Sequence, residues 1–463
     1  MIAELDKNLN QISEDANKIT KVCFFSFNFQ DALSHLRMIG PARLLGLMLI
    51  EGVENGQVFV DRAQLGDIIV LQRDFPREIE RYEEIISIAR QNNIPVILDI
   101  DDLLFELPEN HPDRQSHIFT WTLLPTYLAM LEADLVTVSS KSLYDFVRIH
   151  NNKVIILPNY LDDQIWRIIP PVRKLQSDQK ISIGYMGGLS HQHDIEMLIP
   201  VFYNLNCRFP NRLEFRFWGA RPPDELLNYP NISWDDQITW NYQDFATYFQ
   251  TQSTDIFVAP LQNNFFNRHK SSIKYLEYSS LGSPGVFSRL DPYSEVITHE
   301  VNGFLASTSD EWEDSLVRLI ENPDLRYSIA KNAQETIQSK WLLSKNASLW
   351  RSAYQKAQEL KSARTAADSS NQKIIKSIAA QTVSWHRYTK HQFDSQKNRI
   401  VELEDLAAHQ GVTIAGITSS KTWKLALSLR HLREFLAPPY SKRTKILDSI
   451  LGIPSSKNNT KEE

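Results

Sequence analysis

Cysteine is nearly absent: Cys23 and Cys207 are the only two in 463 residues. That excludes a disulfide framework and a cysteine-based metal site, and Cys23 falls in the apolar run Val22-Cys-Phe-Phe25, which reads as the inside of a strand. A reducing compartment fits this usage. Long apolar runs are missing too. The nearest, Leu44 to Ile50, falls short of the roughly 18 residues that a membrane-spanning helix needs. Met1 to Lys21 is polar and acidic and lacks the apolar centre of a secretory signal. The expectation is a cytoplasmic protein whose membrane contact, if it has one, is peripheral. No zinc-type spacing, Ser-His-Asp arrangement or internal repeat stands out.

What is present is an ordinary soluble composition, 42% hydrophobic and 23% charged, in a chain too long for one core. Two domains and an appendage are expected. The formal net charge of -6 is unevenly placed: residues 361–463 hold 17 Lys+Arg against 9 Asp+Glu, a net of +8, leaving -14 on residues 1–360. The acidic body and the lack of a binding motif argue against a nucleic-acid partner.

Apolar runs alternate with helical patterns, which predicts α/β layers around parallel sheets. A polar segment at 1–20 precedes a first doubly wound domain over 21–168. Its strands are expected at Val22–Phe27, Ile68–Gln72, Pro95–Asp99, Leu135–Ser139 and Val154–Leu157, and its helices at Arg37–Ile50, Glu78–Gln91, Thr122–Glu132 and Lys141–Ile149. A Pro-rich linker at 169–180 leads to a second such domain at 181–355. Strands are expected there at Ile181–Tyr185, Glu214–Trp218, Asn231–Trp234, Ile256–Ala259, Pro284–Ser288 and Gly303–Leu305. The intervening helices are expected at Ile195–Cys207, Asp244–Gln250, Ser272–Leu281, Ser309–Glu321 and Asp324–Gln338. Residues 356–463 read as a helical basic tail, a polar, weakly periodic spacer over 362–398 being followed by a sharper pattern at 418–436. In that pattern Leu425, Leu429, Leu432 and Leu436 recur among Lys421, Lys424, Arg430 and Arg433.

The segment Lys270-Ser-Ser-Ile-Lys-Tyr-Leu-Glu-Tyr-Ser-Ser-Leu-Gly-Ser-Pro-Gly-Val-Phe-Ser288 reads as loop, short helix, glycine stop and buried strand. At about 100° per residue, Ile273, Leu276 and Ser280 share a face and Glu277 falls inside their arc, roughly 40° from Ile273. A buried carboxylate needs a partner, and a local lysine or backbone group would supply it in a plain core helix. With Val154-Ile-Ile-Leu-Pro-Asn159, Pro292-Tyr-Ser-Glu-Val296 and Val301-Asn-Gly-Phe-Leu305, the segment resembles the retaining group 1 glycosyltransferases of the GT-B fold. The pieces stand in the family's order and span roughly residues 20 to 355. The resemblance implies two Rossmann-like domains facing a cleft, with acceptor on the first and nucleotide-sugar donor on the second. It also implies transfer with retention, no metal or other cofactor, and Glu277 on the donor ribose. The terminal helix after Ser339 would pack back towards the first domain. One departure stands out: the family's second acid, eight positions before the glutamate, is His269 here.

Ile181-Ser-Ile-Gly-Tyr-Met-Gly-Gly-Leu-Ser-His-Gln-His-Asp194 passes from a strand through Gly187 and Gly188 into a helix start. Such a turn is simple geometry in many proteins and a diphosphate contact in others, and the resemblance favours the second. The family's basic residue after the glycines is missing here, where Ser190, His191 and His193 stand instead. Charge for a diphosphate must then come from Arg268, Lys270 or Lys274, each of which alone also fits a solvated turn.

Asp99-Ile-Asp-Asp102 emerges at a strand's carboxyl end, a functional address in α/β sheets. These acids could cap the next segment, orient an acceptor hydroxyl with Asp101 and Asp102 as the catalytic candidates, or hold a divalent metal on a diphosphate. His35 and Arg37 are acceptor-side candidates, and Asn159 also lies near the cleft. The basic helix at 418–436 suits docking on protein or on an anionic membrane. The reading is a glycosyltransferase moving sugar to a glycan or lipid-linked acceptor in cell-surface polysaccharide or glycoconjugate synthesis. The alternatives are a non-catalytic relative that keeps the fold, or a metal-dependent transferase built on Asp99, Asp101 and Asp102.

Overall fold

The computed structural model describes residues 19–452 except 76, 78, 173–179, 189–190, 237–238, 240, 253, 362–369 and 440. Residues 1–18, most of the expected linker, Ser190 and the start of the spacer therefore lie outside the described residues. The chain divides into two compact units, one ending at Val383 and one starting at Ser384. The first unit contains two six-stranded sheets and a two-stranded hairpin, Val53–Glu54 with Gln57–Val58.

The first sheet has six parallel strands: β1 (Lys21–Phe25), β2 (Met48–Glu51), β3 (Ile68–Gln72), β4 (Val96–Ile100), β5 (Leu135–Val138) and β6 (Val154–Ile156). Their order is β2-β1-β3-β4-β5-β6. The central strands are buried on both faces, which is why they read as continuous apolar runs. β2 corrects the helix expected over Arg37–Ile50. That helix ends at Leu45, because Gly46 adopts φ 66° and its N–H returns to the carbonyls of Ala42 and Arg43. The chain then extends, and Met48 pairs alongside Lys21.

The second sheet is again six parallel strands: β7 (Ile181–Gly187), β8 (Leu213–Gly219), β9 (Ile232–Asp235), β10 (Ile256–Ala259), β11 (Gly285–Ser288) and β12 (Phe304–Ala306). They run in the order β9-β8-β7-β10-β11-β12. The single helix expected over Ile195–Cys207 is two, Gln192–Glu196 and Ile199–Arg208, with Pro200 in the first turn of the second. Thr308 and Asn322 cap the helices Ser309–Glu321 and Pro323–Thr336 by accepting from the amides of Glu311 and Leu325.

After the second sheet the chain packs back on the first domain. Leu342 bridges to Leu161, and the helix Ser348–Leu360 places Trp350, Ala353, Tyr354 and Ala357 in a core with Val22, Phe24, Val70 and Ile97 of the first sheet. In the tail, a 50-residue helix, Ser370–Ser419, replaces the loose spacer, and Ser420 caps a second helix, Lys421–Leu436.

Candidate active site

Neighbouring strands of the second sheet lead off in opposite directions at β7 and β10, so the loops at their carboxyl ends part and leave a crevice. β7 delivers Gly187 and Gly188 to it. A Cβ on Gly187 would collide with the Tyr185 ring, whereas the space beside Gly188 is open. The helix Ile273–Ser280 brings Lys274 and Glu277 to the same crevice, and Lys270 lies just before it.

Glu277 is buried at 4% exposure. Its partner is Tyr242, whose hydroxyl donates to Oε1 at 2.8 Å and accepts from Trp166 Nε1 at 3.1 Å. Burial raises the carboxyl to about 7, against the opposing pull of Tyr242 and Lys274. Tyr242 in turn donates its backbone N–H to Gln30 O at 3.0 Å and packs on the His35 ring at 5.0 Å, so Glu277 sits at the seam between the two domains.

Lys270 and Lys274 are four residues apart on one side of this segment. Among the described residues neither forms a salt bridge; Lys270 Nζ lies 4.6 Å from the Phe266 ring and Lys274 Nζ 5.8 Å from that of Tyr185. Burial and the charge of Lys270 lower Lys274 to about 8. The carboxylates of Asp194, Glu277 and Asp102 act on Lys274 without forming a salt bridge to it, which leaves both ammonium groups able to meet a bound anion. Arg268 is placed differently, exposed and with Nε on Asn263 Oδ1 at 2.8 Å.

The positions around the glycine turn are held by Asp194, whose carboxylate accepts from the Gln262 amide at 2.8 Å and Asn267 Nδ2 at 3.0 Å and meets His191 Nδ1 at 2.8 Å. Burial and the nearby lysines lower His191 to about 3, so the glycine-turn histidine is neutral. From the first domain, His111 reaches the same space, its ring edge-on to Phe266 at 5.3 Å. Its Nδ1 accepts from the Asp113 amide at 3.2 Å, which leaves the proton of the neutral ring on Nε2. The space enclosed here is about 20 Å³, against about 300–1,000 Å³ for ordinary ligand sites. Direct bonds close the domains on each other nearby, Ser140 Oγ to His269 O at 3.3 Å and Asn159 Nδ2 to Ser271 Oγ at 3.0 Å.

The acceptor-side candidates are occupied. Arg37 is fully buried and forks onto Asp99 at 3.0 and 2.8 Å, with its third nitrogen on Leu157 O and on Asn159 Oδ1 at 3.0 Å. It offers no face to an acceptor; it is core structure. His35 is buried too, its Nε2 at 2.8 Å from Asp162 Oδ2. Asp99 also accepts from Thr137 Oγ1 at 2.6 Å, so its oxygens are taken by Arg37 and Thr137. Asp101 holds Arg73 Nε at 2.5 Å, and Asp102 lies 3.5 Å from the same guanidinium. Burial raises Asp101 despite Arg73. Asp102 remains partly exposed and is near enough to act on the charge of Lys274.

Residues 180–322 match the model of the family described as glycosyl transferases group 1. Over that stretch, the second domain, the chain is similar to group 1 glycosyltransferases, and its two-sheet architecture is the GT-B fold. It covers nearly the whole of several solved proteins in which the two-domain fold recurs. Against sucrose-phosphate synthase from Thermosynechococcus elongatus the chain has 15% identity and a TM-score of 0.55, over 74% of this chain and 100% of that one. Against the Anabaena protein HepE, solved with UDP and glucose, the values are 14% and 0.52, over 72% and 98%. A glycosyltransferase from Rickettsia africae gives 11% and 0.52, over 73% and 99%. No curated protein matches the sequence.

Three residues of this candidate site have no signal in their local sequence. Tyr242 is 35 positions from Glu277, His111 lies in a loop without periodicity, and Arg73 follows a strand whose partners are on the next one. Asp194 is recognisable only as a helix start.

Proposed function

We propose that this transferase takes its sugar from a UDP-sugar and passes it, with retention and without a metal cofactor, to a glycan or lipid-linked acceptor in cell-surface polysaccharide or glycoconjugate synthesis. The observation that carries the donor site is the Lys270–Lys274 pair, neither in a salt bridge among the described residues and both acting on the charge of His191 after the glycine turn. A diphosphate leaving group gains negative charge as the glycosidic bond breaks, and two fixed cations lower the energy of that state more than that of the bound substrate. Glu277 would accept from ribose hydroxyls, and the Nε2–H of His111 would donate to the donor from the opposite domain. UDP is favoured as the nucleotide because HepE, which shares the fold, was solved with UDP and with UDP-glucose. The narrow enclosed space requires the domains to part for the donor to enter and to close before transfer. At the tail, the exposed leucines and four cations of Lys421–Leu436 suit contact with an anionic membrane surface.

The test is a thermal-shift comparison of UDP, GDP, ADP, TDP and CDP, with and without EDTA. A UDP-selective rise in Tm that survives EDTA is expected. In Glu277→Gln the UDP Kd should increase about 10- to 100-fold, the effect of losing hydrogen bonds to a charged group, while Tm at pH 8 holds or rises because a costly buried charge is removed. A shift of equal size with every nucleotide would count against the ribose and base assignment. Binding of UDP with no transfer or donor hydrolysis would instead support the non-catalytic reading, which His269 motivates: that side chain is buried, with Nδ1 on Phe265 O at 2.6 Å.

Donor affinity should also be bell-shaped in pH. The nucleotide-sugar diphosphate does not titrate near neutrality, so the limbs belong to the protein. Below about 7 Glu277 is protonated and no longer a strong acceptor; above about 8 the free protein's Lys274 is neutral and must take up a proton to bind. Kd should rise by up to about tenfold per pH unit on each side. In Lys274→Arg the alkaline limb should vanish, and calorimetry across pH 6–10 checks it.

A further inference from the structure

The helix Ser370–Ser419 runs for 50 residues, about 75 Å at ~1.5 Å per residue. Ala379 and Val383 belong to the first domain's core. From Lys390 to Ser419, by contrast, every residue is exposed. An isolated helix is marginal in water unless one face is covered, and the sequence marks which face that is. Phe393, Ile400, Leu403, Ala407, Ile414 and Ile417 follow one another at steps of 7, 3, 4, 7 and 3, the first and fourth positions of a seven-residue repeat. Four of them, Phe393, Ile400, Ile414 and Ile417, are 72, 56, 60 and 52% exposed.

A repeat of 3.5 residues drifts about 20° per heptad around a straight helix, so only another helix that supercoils with it can cover the stripe along its length. A bilayer surface is a poor alternative. The stripe is narrow, and residues 393–417 carry two basic against four acidic side chains, which anionic lipid repels.

We propose that residues 393–417 form a parallel, in-register coiled coil with a second copy of this chain. The charges fit that partner. Arg399 precedes the first-position Ile400 and Glu404 follows the fourth-position Leu403. In a parallel pair the Arg399 of each copy therefore faces the Glu404 of the other, twice by symmetry. In the single chain Arg399 lies on Glu402 of its own helix at 2.9 Å, within reach of that exchange. The inference stands apart from the transfer chemistry and does not depend on it.

Sedimentation of the full chain at micromolar concentration is expected to give twice the chain mass. Ile400→Asp combined with Ile414→Asp should give the monomer, with the main thermal transition unchanged. Arg399→Glu should weaken the dimer about tenfold by setting like charges face to face, and adding Glu404→Arg should restore it. A monomeric wild type, or a dimer indifferent to the isoleucine pair, overturns the proposal. So does a monomer whose co-sedimentation with phosphatidylserine vesicles is lost in that pair, since the stripe would then belong to a lipid surface. Failure of Glu404→Arg to restore association overturns the parallel register.

Discussion

Lys270→Ala and Lys274→Ala are each expected to lower kcat/KM for the nucleotide sugar by about 100-fold, with Tm unchanged or higher. The direction of the stability effect follows from geometry. The two ammonium groups stand four residues apart without a salt-bridge partner among the described residues, and folding pushes Lys274 down to about 8. A lysine whose folded value lies below its unfolded one is charged at a cost. The folded state holds its proton less tightly, so stability should rise between about pH 8 and the ordinary lysine range, and Lys274→Ala should remove that slope. Loss of activity together with equal or greater stability is the signature of a site kept for a ligand. The effect should fall on kcat at least as much as on KM, because charge on the leaving diphosphate is greatest in the transition state. A parallel loss of activity and Tm in either variant would instead make these lysines structural.

The opposite signature is expected for Arg37→Ala. Its guanidinium is wholly buried, forked onto Asp99 and bonded to Leu157 O and Asn159 Oδ1. Removing it leaves the Asp99 carboxylate inside the protein with Thr137 as its one remaining side-chain donor among the described residues, and leaves two acceptors bare. Breaking a buried pair in this way costs about 3–5 kcal/mol. The expected result is a large drop in Tm or in denaturant midpoint, with KM for donor and acceptor little changed in the protein that stays folded. A selective rise in acceptor KM at unchanged stability would return Arg37 to the cleft.

These two cases show what could be read from the sequence. Strands buried on both faces announce themselves as apolar runs, and most of the twelve were placed within a residue or two. β2 escaped because Leu44 to Ile50 is apolar throughout, and periodicity cannot separate a helix end from a strand start there; Gly46 makes the difference through its left-handed backbone. Glu277 was legible because a carboxylate on an apolar helical face is costly. Its partner was not, since Tyr242 arrives from a different helix. Arg37 follows a strand end, which suggested a cleft address, but its role is set by Asp99, 62 residues away. The repeat at 393–417 has polar residues at Gln396 and Gln410, which dilute it enough to read as a loose spacer.

The central claim, a diphosphate site made by Lys270 and Lys274 on the second domain, is tested most directly by calorimetric titration of UDP in EDTA into the wild type and the Lys270→Ala/Lys274→Ala double variant. The account predicts saturable, metal-independent binding by the wild type and a Kd at least about 100-fold weaker in the variant. Equal affinity in the two proteins would contradict it, as would wild-type binding that appears only when a divalent metal is restored.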